Sequence, residues 1–215
     1  KYTAQLYEIK DFTGHHDLGF MIYCSYGRQW ANFQEPEVLQ VIIDAANSLS
    51  TRFNPTIGQI RSWDFGEWNY PVIVDNLMNL EMLFFASKMT GDKKYYDVAV
   101  KHADTTLENH FRPDGSSYHV VSYNNDGSIE SKGTFQGFAH ESSWARGQAW
   151  GLYGFTMVYR FCKEQDILDH AIAIAEYLLP RLPEDGVPFW DYDSAEIPND
   201  VRDASAAAIM ASGLI

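Results

Sequence analysis

The sequence predicts an all-α fold in which helical hairpins form a ring, an α/α toroid. Two observations carry this prediction. Three amphipathic segments share one plan, with apolar residues on one face and a closing proline and glycine, and they alternate with segments that are apolar nearly all round. A helix that is apolar on one face lies at the surface, whereas a helix that is apolar on every face is buried. The alternation therefore predicts outer helices arranged around inner ones.

The outer helices are predicted over 37–54, 93–111 and 166–182. Helix-ending residues follow each of them, namely Pro55 and Gly58, Pro113 and Gly115, and Pro183 and Gly186. The inner helices are predicted over 18–26, 77–89, 150–161 and 206–214. Short turns at 90–92 and 163–165 join an inner helix to the next outer helix.

Longer loops join each outer helix to the next inner helix. They contain aromatic or imidazole clusters, at Ser62-Trp63, Tyr118-His119 and Phe189-Trp190. Because these loops meet the first residues of the inner helices at one end of the ring, that end is predicted to be the functional mouth. Only 117–121 and 129–132 alternate as strands do, and the turn residues 124–127 between them predict a hairpin.

Composition narrows the class of ligand. A formal net charge of −13 excludes nucleic acid and disfavours a membrane surface, because both ligands need clustered Lys and Arg. The aromatic content of 15% is high, and several rings lie in polar loops, where a sugar can stack; most rings are predicted to fill the helical core. No apolar run is long enough to cross a membrane. Cys24 and Cys162 are predicted to be small core residues.

The segment 140–155 contains the start of the third inner helix and combines small residues with polar ones. Its glycines and alanines predict close helix packing, and Ser142 and Ser143 are predicted to cap the helix. Arg146 is costly to bury without a partner. The partner is either an anionic group of a ligand or structural carboxylates of the protein, and the residues alone leave both open.

Carboxylates precede or open the other inner helices. Asp17, Asp75 and Asp203 each stand at such a position, where helix capping is the ordinary explanation. Asp75 lies in apolar sequence, so we expect burial to raise its pKa, and a nearby Asp17 would raise it further. Such a pair suits acid and base chemistry on a sugar.

His15, His16 and His119 are alternative metal ligands, but adjacent histidines diverge on a helix and no metal-binding spacing occurs, so no metal site is predicted.

Five motifs together resemble glycoside hydrolase family 88, the unsaturated glucuronyl hydrolases. They are His15-His16-Asp17-Leu18-Gly19-Phe20, Arg61-Ser62-Trp63-Asp64, Val74-Asp75-Asn76-Leu77-Met78-Asn79, Gln136-Gly137-Phe138 and Trp144-Ala145-Arg146-Gly147-Gln148-Ala149-Trp150. They follow the family's order along the whole chain. The unsaturated rhamnogalacturonyl hydrolases share the toroid, but the aspartate of the first motif fits family 88 better.

The resemblance implies an (α/α)6 barrel, here expected to be incomplete at both ends. About seven helices are predicted, the chain opens at Lys1 without a leader, and it stops inside a helical pattern. We therefore expect 1–215 to be a single catalytic domain in partial form, belonging to a larger protein.

The resemblance also implies the site. Asp75 is similar to the family's general acid and base, and Asp17 to its second essential carboxylate. Substrate contacts are implied for His119, Gln136, Arg146 and Trp150, and Trp63 is expected to line the neighbouring subsite.

The implied reaction is hydration of the C4=C5 double bond of an unsaturated uronic acid at the end of a glycosaminoglycan-type oligosaccharide. No metal or organic cofactor is implied. Glu141 is predicted to be either a third acid at the mouth or a partner of Arg146. The alternatives are a rhamnogalacturonyl hydrolase or inverting glycosidase on the same toroid, and a non-catalytic glycan-binding module. The parent polysaccharide, the compartment and the oligomeric state are left open.

Overall fold

Helices make up most of the computed structural model, which describes residues 3–215. The α-helices are α1 (Arg28–Phe33), α2 (Pro36–Ser50), α3 (Leu80–Thr90), α4 (Lys93–His110), α5 (Ala145–Cys162), α6 (Gln165–Leu178) and α7 (Ala204–Gly213). Three short 3₁₀ segments lie at Thr3–Asp11, Val74–Asn79 and Leu179–Arg181, and a helix with wider turns, Gly19–Gly27, leads into α1. The predicted order of inner and outer helices is confirmed.

The amphipathic pattern places α2, α4 and α6 on the outside. Each of them buries one face, and α3, α5 and the Gly19–Gly27 helix pack against one another or against these outer helices. The turns that join inner to outer helices need left-handed backbone. Gly91 ends α3 with φ 74° and Lys163 ends α5 with φ 60°.

Three predicted helix boundaries are wrong. The helix α2 ends at Ser50 rather than 54, because Phe53–Asn54 forms a strand, β1, that pairs with β2 (Gln59–Ile60). The helix α6 ends at Leu178 because Pro180 has no N–H to continue it. The helix α3 begins at Leu80 rather than 77, because Val74–Asn79 forms a 3₁₀ segment.

The predicted serine caps of α5 are also wrong. Trp144 occupies the N-cap position and makes no side-chain capping bond. The hydroxyl of Ser142 donates to Asp191 and the hydroxyl of Ser143 donates to Gln148. Ser142 therefore holds the preceding loop, and Ser143 contacts a side chain of α5 without capping its backbone.

A three-stranded antiparallel sheet stands at the mouth. The predicted hairpin is present as β4 (Val120–Tyr123) and β5 (Ile129–Gly133), and the unpredicted strand β3 (Pro71–Ile73) pairs with the other edge of β4. The register places Ile73 opposite Val120. Since β3 runs directly into the 3₁₀ segment Val74–Asn79, the sheet sets the position of the residues that open the second inner helix.

Close helix packing around α5 agrees with its small residues. A Cβ added to Gly154 would lie 2.4 Å from Cβ of Leu77, and one added to Gly213 would lie 2.9 Å from the backbone nitrogen of Tyr153. Larger residues at these positions would push the inner helices apart.

Cys162 is half-buried but Cys24 is exposed, so the core prediction is wrong for Cys24, whose helix buries Gly19, Ile22 and Tyr26 instead. Over residues 3–215, no helix combines the length and apolarity needed to cross a membrane.

Candidate active site

A cavity of about 630 Å³ opens where the first residues of three inner helices meet two loops. Its wall includes Asp17, Asp75, Arg146 and Trp150 from the helix starts, and Trp63, Phe65, Phe135 and Gln136 from the loops. The predicted mouth is therefore a real concavity. Every site residue that the sequence predicted lines this cavity except His119.

Asp75 is the buried acid of the cavity. It directly follows β3 through Val74, and only 8% of the residue is exposed. The pKa of its carboxyl is raised from 3.8 to about 7, mainly by burial and to a smaller extent by the negative charge of Asp17, while a backbone hydrogen bond and Arg146 oppose the shift. This agrees with the expectation drawn from its apolar sequence neighbours. Asp75 is consequently able to hold a proton near neutral pH and to release it.

His119 lies behind Asp75 rather than in the cavity wall. Its Nε2 is 3.6 Å from Oδ2 of Asp75, and its side chain is 1% exposed. Its Nδ1 accepts hydrogen bonds from the backbone nitrogens of Phe135 and Gln136, at 3.1 and 3.2 Å. Burial lowers the pKa of the imidazole to about 3, so the ring is neutral. The resemblance implied a substrate contact here; the contact in the structure is with the acid.

Asp17 is paired with imidazoles on both oxygens. His16 Nε2 lies 3.2 Å from its Oδ1, and His15 Nδ1 lies 3.4 Å from its Oδ2. The expectation that the two histidines diverge is wrong, because the chain at 14–17 precedes the helix and is not helical. Burial lowers the pKa of His16 to about 4, so this ring is neutral too. Asp17 itself is half-exposed and faces the cavity.

Arg146 pairs with Asp203, a carboxylate that the sequence did not identify as its partner. Its Nε and Nη2 both donate to Oδ2 of Asp203, at 3.0 and 2.9 Å, while Oδ1 of Asp203 caps α7 by accepting from Ala206 N. The capping interpretation is confirmed for Asp203. Of the two partners that the residues left open for Arg146, a structural carboxylate is present. The Arg146 side chain remains 39% exposed and reaches the cavity.

Three aromatic rings form one side of the cavity, which we call the aromatic wall: Trp63, Phe65 and Phe135. Trp63 is buried and stacks on Phe65 with 5.2 Å between ring centroids and 15° between planes, and Phe135 packs on Trp63 at 5.5 Å. Phe65 and Phe135 were not singled out from the sequence, although both are rings in polar loops. On the opposite side, Trp150 packs edge-on against Phe20 at 4.9 Å.

Two loop residues have structural partners. Glu141 is exposed, accepts a hydrogen bond from the Tyr118 hydroxyl and lies 3.5 Å from Arg112, so it is not a partner of Arg146. Asp191 is fully buried and was not among the residues predicted from the sequence. Its Oδ2 accepts hydrogen bonds from Phe138 N and the Ser142 hydroxyl, and these bonds hold the loop that carries Gln136. The pairing spans 53 positions, which no local pattern reveals.

A second hollow of about 600 Å³ lies near Arg52, Arg61 and Asp64. Its charged groups already satisfy one another, since both guanidinium groups pair with Asp64. Among residues 3–215, no three His, Cys, Asp or Glu side chains converge in a way that could hold a metal ion.

The family model of Glycosyl Hydrolase Family 88 matches residues 14–179. The chain belongs to this family. The predicted family is confirmed by this match.

Two curated proteins are similar to this chain over nearly its whole length. The chain is 46% identical over 222 residues to an unsaturated glucuronyl hydrolase of Formosa agariphila, covering 100% of this chain and 55% of that protein. It is 38% identical over 203 residues to an unsaturated chondroitin disaccharide hydrolase of Streptococcus pyogenes serotype M1, covering 93% and 51%.

A crystal structure of an unsaturated glucuronyl hydrolase specific for heparin superposes with a TM-score of 0.96 at 47% identity, covering 99% of this chain and 58% of that chain. The predicted α/α toroid is confirmed over the part that aligns. The chain spans about half the length of the curated relatives it matches.

We expect Asp75→Asn to stabilise the full-length protein at about pH 8 but not at about pH 4. The folded-state pKa of Asp75 is raised, so the stability that its neutral form contributes is present below 3.8 and is lost as pH rises through about 7. Asparagine stays neutral throughout. The expected gain in the free energy of unfolding at the higher pH is about 2 to 4 kcal/mol. Urea unfolding at both pH values measures it, and equal gains at both would contradict the raised pKa.

Proposed function

We propose that the protein hydrates the C4=C5 double bond of an unsaturated uronic acid at the non-reducing end of a glycosaminoglycan-type oligosaccharide. The observation that carries the proposal is the buried Asp75 carboxyl, whose pKa burial raises to about 7, in a cavity shared with Asp17 and Arg146. Relatives named unsaturated glucuronyl hydrolase and unsaturated chondroitin disaccharide hydrolase support the substrate class. Residues 1–215 act in this proposal as part of one catalytic domain.

The reaction uses Asp75 twice. Its neutral carboxyl donates a proton to C4, and water adds at C5, transferring a proton back to the Asp75 carboxylate. The product is a hemiketal at C5, which collapses, opens the ring and releases the next sugar. Overall, one water is consumed and the double bond is lost. Burial, with a smaller contribution from the charge of Asp17, favours the protonated form of Asp75 before the substrate is bound.

The remaining side chains bind and orient the sugar. Among the described residues of the cavity wall, Arg146 is the one with a permanently cationic side chain. In this proposal it pairs with the uronate carboxylate or a sulfate. This local cation offsets the repulsion between an acidic sugar and a protein of net charge −13. Gln136 and Trp150 contact the unsaturated ring, and Trp63 lies toward the neighbouring subsite.

An absorbance assay tests the proposal. Unsaturated disaccharides produced by polysaccharide lyases absorb in the ultraviolet through the conjugated double bond, and the full-length protein is expected to abolish that absorbance. Matched saturated glycosides are the control. Cleavage of saturated glycosides with unsaturated ones left intact would refute the proposal and favour an ordinary glycosidase. Binding without turnover of either would favour a glycan-binding module.

We expect Phe65→Ala and Phe135→Ala each to raise KM for an unsaturated disaccharide about three- to tenfold, because each removes a ring that the second sugar stacks on. The kcat is expected to stay within about twofold, since neither ring reaches the acid. Phe138→Ala is the matched control, because Phe138 is an exposed ring of the same loop outside the cavity wall. With a methyl group in place of the second sugar, the effect should vanish. An equal rise in KM for Phe138→Ala would contradict this role of the aromatic wall.

A further inference from the structure

The protonation state of His119 is determined by its surroundings. A neutral imidazole carries one proton, on one of two nitrogens. The Nδ1 atom faces two backbone donors, Phe135 N and Gln136 N, and lies 3.3 Å from the hydroxyl of Thr134. A nitrogen that accepts two N–H bonds carries no proton of its own. The proton of His119 is therefore on Nε2.

Asp75 lies beside the Nε2–H group of His119 and can accept its proton in a hydrogen bond. Within the described chain, Nε2 of His119 and Oδ2 of Asp75 are both buried, neither has another hydrogen-bond partner, and they lie 3.6 Å apart. Leaving either group unpaired in the interior costs free energy, so a small approach that forms the bond is favourable. The pairing of β3 with β4 keeps the two residues together, since Val74 N donates to the carbonyl of His119 at 3.1 Å.

We propose that His119 is a positioning residue that donates Nε2–H to Oδ2 of Asp75 and thereby confines the reactive proton of Asp75 to Oδ1. The Oδ2 atom is fully buried while the Asp75 side chain as a whole is 12% exposed, so the exposed surface belongs to its other atoms. A carboxyl whose inner oxygen accepts a hydrogen bond presents its O–H outward, toward the cavity. The proposal rests on the proposed function, because it assigns the atom that delivers the proton to C4.

The same imidazole connects the acid to the substrate loop. Gln136 lies in the cavity wall, and its backbone nitrogen is one of the two donors that hold Nδ1. Placement of the loop therefore enforces the tautomer that Asp75 requires. The charged or titratable groups around this pair are Asp17 and Arg146 near Asp75, and the neutral, buried His16 and His110 near His119.

Nitrogen NMR of the full-length protein tests the tautomer without any substrate. The two-bond correlations of the His119 ring are expected to identify an Nε2–H tautomer at about pH 6 to 8. An Nδ1–H tautomer or a charged ring in that range would overturn the proposal. This result does not depend on which sugar is hydrolysed, so it separates failure of the inference from failure of the proposed function.

Two variants test the consequence for catalysis. In His119→Asn the amide oxygen accepts from the loop but no donor reaches Asp75, whereas in His119→Gln the amide nitrogen reaches the position of Nε2. Loss of a donor to a carboxylate raises its pKa. The alkaline limb of the kcat/KM profile is therefore expected to move up by about 0.5 to 1 pH unit in His119→Asn, with kcat about tenfold lower and KM within about twofold. His119→Gln should restore the wild-type limb. A wild-type profile in His119→Asn, or identical behaviour of both variants, would overturn the role.

Discussion

Asp75→Asn is expected to lower kcat about 1,000-fold while leaving the Kd for an unsaturated disaccharide within about threefold. The amide has nearly the shape of the acid but no proton that it can give to C4, so the loss falls on the chemical step. Loss of ultraviolet absorbance measures kcat, and calorimetry measures binding. Asp97→Asn is the matched control, since Asp97 is an exposed carboxylate on the outer helix α4.

Retention of more than about a tenth of the wild-type kcat by Asp75→Asn would remove Asp75 from the role of general acid. An equally large loss in Asp97→Asn would indicate a general effect of charge or folding instead. The two results are independent of the assignment of the sugar, because any substrate that requires protonation would respond in the same way.

Arg146→Ala is expected to raise KM about 10- to 100-fold with kcat changed less than about threefold. The guanidinium group is at the cavity wall and supplies a charge-assisted hydrogen bond to the uronate or sulfate in both the bound substrate and the transition state, so its loss is uniform in binding. Steady-state kinetics on unsaturated disaccharides measure the split. A KM unchanged by Arg146→Ala would show that the arginine serves only Asp203.

Asp203→Asn is the control that the structure offers for this prediction. Asparagine retains the capping acceptor for Ala206 N but removes the charge that competes for Arg146. We expect an unchanged or lower KM, because the guanidinium group is then freer to bind the sugar. If Asp203→Asn raised KM as much as Arg146→Ala does, the ion pair as a whole would be positioning the cavity, and the direct anion contact would be contradicted.

Periodicity predicts the helices of this fold because each helix carries its own pattern of burial. Val38, Val41, Ile42, Ala45 and Leu49 all lie on the buried face of α2. Strand β3 carries no such local signal, since Pro71–Ile73 is three residues long and is held by a partner far along the chain. The predicted end of α2 is wrong for a different reason: Phe53 continues the apolar spacing of the helix, but its backbone pairs with Ile60 in a strand.

The site residues that the sequence predicts are likewise those with a local signal, whereas contacts between distant segments are not predicted. Asp75 was recognisable because its own neighbours are apolar, and burial does raise its pKa to about 7. The partner of Arg146 was not recognisable, because Asp203 lies 57 positions away and acts from the cap of another helix. The place of His119 depends on the loop at Phe135 and Gln136 folding back over it, which is a tertiary event.

The small sheet at the mouth limits how this part of the chain can change in length. Adding or removing one residue in β3 or β4 reverses which side chains face inward. Because Ile73 pairs with Val120, such a change would turn Asp75 away from His119 even if every helix stayed in place. The turn between β4 and β5 is outside the pairing of β3 with β4, and Asn125 and Asp126 at its tip are exposed. An inserted residue is therefore expected to be tolerated at the hairpin tip and to disrupt the site when it falls in β3 or β4.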